Sequence, residues 1–86
     1  MMKITLNEDV VAFDGEVLEC FFMDGSRRYH ITRIKGIQLE PGKKGKYMLT
    51  IKLKYDPVFL WANEEDVPKV NELIAEVQRA MKPVSG

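Results

Sequence analysis

The chain has a single cysteine, a single histidine, a single tryptophan, no net charge and no long apolar run. Each scarcity excludes something. A lone thiol rules out an intramolecular disulfide, and the position of Cys20 in the largely apolar stretch Leu18 to Met23 marks it as a small buried hydrophobe. With one histidine and one cysteine, a zinc site would need two carboxylates as well, so no metal is expected. No segment approaches the roughly 18 consecutive apolar residues of a membrane-spanning helix. The opening MMKITLNEDV turns acidic where a signal peptide carries its apolar region, so the expected location is the cytoplasm. No nucleophile stands beside a base, no carboxylate pair is evident, and GKKGK lacks the spacing of a phosphate-binding loop. The expectation is a protein that is not an enzyme, with no cofactor and no evident small-molecule substrate.

What is present is a pattern. With 86 residues, 45% apolar and 30% charged, the composition is that of one globular domain covering residues 1–86. In KYMLTIKLKY, residues 46–55, the side chains Tyr47, Leu49, Ile51, Leu53 and Tyr55 alternate with Lys46, Met48, Thr50, Lys52 and Lys54. Period two means a strand with one buried and one wet face. Upstream, three turn signals can be tested against one another. Taking Glu8-Asp9, Asp14-Gly15 and Asp24-Gly25 as two-residue hairpin loops sets Leu6 opposite Val11, Val11 opposite Leu18, and Cys20 opposite Tyr29. The three turns together place Ile4, Leu6, Val11, Phe13, Leu18, Cys20, Phe22, Tyr29 and Ile31 on one side of a meander. The same register turns His30 outward beside Glu19 and Arg28 outward beside Phe21. Arg27 is a misfit, because its parity is that of the inner face.

A short helical turn at TRIK leads to GIQLE, and Glu40 is set opposite Lys46 across the PGKKG loop. The last strand, VFLW, leaves two registers open: Val58 and Leu60 inward, or Phe59 and Trp61 inward. From Asp66 the period becomes helical, with Val67, Val70, Leu73, Ile74, Val77 and Met81 on one stripe. Asp66 is the expected N-cap, Pro68 lies in the first turn, and Lys82 and Pro83 end the helix. The strand region thus spans 2–62 and the helix about 66–82, with a frayed tail at 83–86.

About seven short strands followed by one C-terminal helix make a mainly β (α+β) fold. The run RRYHITRIKGIQLE…GKYMLTIKL resembles bacterial pleckstrin-homology-like (PH-like) domains, where a strand ends in a short turn before an Ile-x-x-Ile step and a helix later closes the chain. The resemblance implies an antiparallel barrel or sandwich, half open and plugged by the helix, serving as a binding or oligomerising module. Eukaryotic relatives that hold phosphoinositides keep basic residues around the first hairpin loop; here that loop is Asn7-Glu8-Asp9.

Neutrality hides a layout. Residues 1–26, 27–54 and 55–86 carry net charges of −5, +8 and −3. Such blocks fit either an anion-binding surface or internal pairing between neighbouring strands. Two binding surfaces are therefore candidates. The first is an apolar outer face of Val10, Ala12, Val17, Phe21 and Met48, suited to a protein partner or a second copy of the chain. The alternative is an anion patch of Arg28, Lys43, Lys44, Lys46, Lys52 and Lys54, suited to nucleic acid or acidic lipid. The patch has no interleaved aromatic residues, because Tyr47 and Tyr55 fall on the buried face of their strand.

Overall fold

A computed structural model describes residues 1–81. Among them the strands β1 (Met2–Leu6), β2 (Asp9–Phe13), β3 (Val17–Phe22) and β4 (Gly25–His30) form one antiparallel sheet in that order. A 3-10 turn, Ile31–Arg33, leads to the second antiparallel sheet of β5 (Ile34–Pro41), β6 (Lys46–Leu53) and β7 (Val58–Asn63). A second 3-10 turn, Glu64–Asp66, precedes the helix α1 (Val67–Met81). The fold is mainly β with one C-terminal helix. The two sheets do not close into a barrel; they pack as a sandwich, with α1 against β5 and β1. Leu6, Val11, Leu18, Leu49, Ile51, Leu60, Leu73 and Val77 meet in one core with scarcely any exposure. No helix among the described residues is long and apolar enough to cross a membrane.

The inward set of the meander is as the alternation dictates, but every hairpin closes one loop position away from the expected one. The loops are Asn7-Glu8, Gly15-Glu16 and Met23-Asp24, so Ile4 faces Val11, Phe13 faces Leu18, and Leu18 faces Tyr29. Each change slides partners by two residues, which preserves the buried face because side chains alternate with period two. The local chemistry explains the choices. Asn7 takes the left-handed backbone conformation (φ 57°) that asparagine tolerates. The Asp14 carboxylate accepts hydrogen bonds from the Glu16 and Val17 N–H groups, each at 2.8 Å. Those N–H groups, Val17's first, hold the Asp14 carboxyl below the usual carboxylate range. Gly25 pairs with Phe22 and so belongs to the strand and not to the loop, and it opens β4 at φ 142°, a conformation that residues with a Cβ rarely adopt.

The slide re-pairs the outer side. Arg28 lies opposite Glu19 and forms an ion pair with it at 3.9 Å, in place of the expected contact with Phe21. His30 lies opposite Val17, not Glu19, and its Nδ1 accepts from the Thr32 N–H at 3.2 Å, capping the 3-10 turn. In the second sheet Glu40 pairs with Met48 instead of Lys46, again a two-residue slide. The last strand takes the register with Leu60 and Ala62 inward, which turns Phe59 and Trp61 out. Tyr55 corrects another expectation. Strand β6 ends at Leu53, so alternation lapses and Tyr55 is 82% exposed in the turn.

Helix α1 buries Val70, Leu73 and Val77, with Ile74 and Met81 packed beside them, while Val67 is half-buried outside that cluster. Asp66 precedes the helix as expected, but its carboxylate reaches back to the Asn63 N–H at 3.0 Å and pairs with Lys69 at 3.5 Å. It closes the 3-10 turn where a forward cap on the helix was expected. The expected stop at Lys82 and Pro83 and the tail 83–86 lie outside the described residues.

Two measurements check this packing. Cys20 has no exposure, and burial, with Asp9 and Glu19 adding to it, pushes its thiol from the ordinary 9.0 up to about 11. The folded state therefore holds its proton longer than the unfolded state, so this contribution is intact below pH 9.0 and is lost as pH rises from there towards about 11. The stability of the wild type relative to Cys20→Ala should fall across that window by roughly 1.4 kcal/mol per pH unit, as read by denaturant titration. The second concerns Asn7, whose Nδ2 donates to the Trp61 carbonyl at 3.1 Å and whose Oδ1 accepts from Asn63 Nδ2 at 3.0 Å. Asn7→Gly keeps the backbone conformation and should cost about 1 to 2 kcal/mol from the lost bonds. Asn7→Ala should cost about 1 kcal/mol more, because the left-handed conformation then carries a Cβ.

Candidate functional site

Strand order decides which outward residues become neighbours. On the outer side of the first sheet, Val10 lies opposite Phe21, Ala12 opposite Glu19, and Val17 opposite His30. Four of the five apolar candidates therefore share a face, but the Glu19–Arg28 ion pair crosses it and only Phe21, at 39%, is substantially exposed among them. Met48 is elsewhere. It sits on the outer side of the second sheet, between Glu40 on β5 and Trp61 on β7.

That second face exposes the larger aromatic surface. Successive rows across β5, β6 and β7 read Glu40–Met48–Trp61 and Gln38–Thr50–Phe59, with Lys46 beyond one end and Lys52 with Pro57 at the other. Phe59 is 56% exposed and Trp61 49%, large values for aromatic side chains on adjacent rows of one sheet. The Trp61 ring lies against the β5–β6 loop: a Cβ at Gly42 would be 3.1 Å from its Cζ3, so the absence of a side chain there makes room for the indole. From the other side, Asn7 grips the Trp61 main-chain carbonyl. Gln38 and Glu40 are hydrogen-bonded to each other along β5. Phe59 and Trp61 were legible in the sequence only as one of two registers, and Pro57 together with the four-residue turn left that choice open.

The lysine patch is dispersed. Lys43 and Lys44 occupy the β5–β6 loop with Lys46 just after it. Lys52 is six residues further along the same strand, about 20 Å away at the usual strand rise. Lys54 lies past it in the β6–β7 turn, its Nζ 5.5 Å from the Tyr55 ring centroid, and Arg28 is on the other sheet. Internal pairing does not absorb the positive block either. Among the described residues, Arg28 with Glu19 is the one ion pair that any of its nine basic side chains makes. Lys54 has other basic neighbours, which sequence spacing concealed. Arg27, Arg33 and Lys35 line the same cavity of about 410 Å³ between β4 and the β6–β7 turn. The signal that pointed there was Arg27, a charged residue on inner-face parity.

His30 and Cys20 are far apart in role: one caps a turn at the surface, the other is sealed in the core. Among the described residues no cluster of three or more histidine, cysteine, aspartate or glutamate side chains is placed to hold a metal ion. No protein-family model matches the chain, and no curated protein matches it.

Proposed function

We propose that the chain is a non-catalytic, cytoplasmic PH-like interaction domain that self-associates through the outer face of β5, β6 and β7. The observation that carries this reading is the joint exposure of Phe59 and Trp61 beside Met48. Rigid aromatic side chains with little rotamer freedom left to lose are the groups that dominate protein interfaces. Trp61 lies against the β5–β6 loop at Gly42, a contact that leaves its indole less rotamer freedom to lose on docking. The face is also self-complementary. A two-fold axis across the row Gln38–Thr50–Phe59 lays Phe59 on its own copy, brings Trp61 against Pro57, and sets Glu40 beside Lys52. The remaining edges are less available, because α1 packs on β5 and the Asn7 side chain ties β1 to β7. The burial of Cys20 and the use of His30 as a turn cap support the non-catalytic part of the reading.

Sedimentation equilibrium tests it. The wild type should show a concentration-dependent dimer, and Phe59→Ser with Trp61→Ser should weaken it by at least about 2 kcal/mol without loss of the fold. Glu40→Lys should weaken it, and adding Lys52→Glu should restore it. A wild type that stays monomeric at all concentrations, or a face that proves to be covered by a different protein, overturns the second-copy assignment.

A further inference from the structure

We propose that the cavity between β4 and the β6–β7 turn binds a small anion bearing clustered phosphate groups. Arg27, Arg33, Lys35 and Lys54 line it, with Asp56 as the single acid. Its volume of about 410 Å³ suits a compact ligand. None of the four cations lies within 4.0 Å of a carboxylate among the described residues, although the domain makes three ion pairs elsewhere.

Four separate features of the backbone bring these charges to one place. Arg27 is opposite Cys20 on the inward parity of β4, and although its side chain is exposed it lines the cavity between β4 and the β6–β7 turn. Lys35 falls where the β5–β6 register shifts between Ile34 and Gly36, and such irregularities re-aim a side chain. Lys54 is the first residue after β6, and Arg33 ends the 3-10 turn that His30 caps. Residues from four separate segments thus converge.

The chemistry selects the ligand class. Two guanidinium forks match phosphate oxygens in bidentate fashion, while the two ammonium groups add charge without a fixed geometry. Tyr29, Leu53 and Val58 form an apolar wall, which strengthens charge attraction by excluding water on that side. A net excess of three positive charges calls for an anion of more than one charge, which a single carboxylate does not supply. Like charges held together without carboxylate partners also oppose folding, so the cluster does not serve stability.

Titration calorimetry of the full chain with sodium tripolyphosphate at low salt tests the proposal. The wild type should bind, Arg27→Gln with Arg33→Gln should weaken binding by at least about tenfold, and Lys43→Gln with Lys44→Gln should leave it within about twofold. The melting temperature of the cavity variant should be unchanged or higher, which a structural role for the arginines would not produce. Flotation with phosphatidic acid vesicles, against plain phosphatidylcholine, distinguishes a lipid-borne phosphate from a soluble one; loss in the cavity variant supports the site in either case. Phe59→Ser with Trp61→Ser should still bind tripolyphosphate, which separates this site from self-association. Absence of both calorimetric heat and flotation at low salt overturns the proposal, as does equal loss in the cavity and loop variants, since that would be diffuse surface attraction.

Discussion

A slide of one residue between neighbouring strands would turn Leu6, Val11, Leu18 and Cys20 to water; a slide of two leaves them all inside. The asymmetry comes from the single core shared by both sheets and α1, which each strand can serve with only one of its faces. It governs everything outside the core too. Once inward parity is set, the outward residues are set with it, and their neighbours depend on which of the permitted two-residue registers the turns select. Arg28 meets Glu19, Met48 meets Trp61, and Val10 meets Phe21 for that reason.

The parity of the strands was legible in the amino-acid order because alternation survives any two-residue slide. The turns were less legible. Asn7, Asp14 and Gly25 are all turn-forming residues, but each fits more than one position in a tight loop, and backbone angle and side-chain bonding decide between them. Tyr55 shows the limit of periodicity: the pattern continued for two residues after the strand had ended. Asp66 shows the limit of capping rules, since a carboxylate beside a helix start can bond backwards as readily as forwards. The buried stripe of α1 needed no such arbitration, because about four turns of consistent spacing outweigh any single position.

For the surface, nearness in sequence was a poor guide. Lys43, Lys44, Lys46, Lys52 and Lys54 look like one cluster when written in a line, yet an extended strand separates their ends by most of the domain's width. The reverse holds at the mouth of the sandwich, where the two ends of the positive block, Arg27 and Lys54, face one cavity because the chain doubles back between them. Met48 likewise belongs with Phe59 and Trp61, and no local pattern tied a residue in β6 to aromatic residues beyond a proline-containing turn.

The two outward features are anchored to the fold in different ways. Trp61 is tied to the fold through its ring contact at Gly42 and through Asn7, which bonds its main-chain carbonyl. Arg27, Arg33, Lys35 and Lys54 are bound by nothing comparable. In a lineage under no pressure to keep a ligand at that mouth, these four would be among the first positions to drift, whereas the hydrophobic alternation beneath them would persist. Their retention or erosion across descendants of this chain would record its use, independently of how well the domain folds.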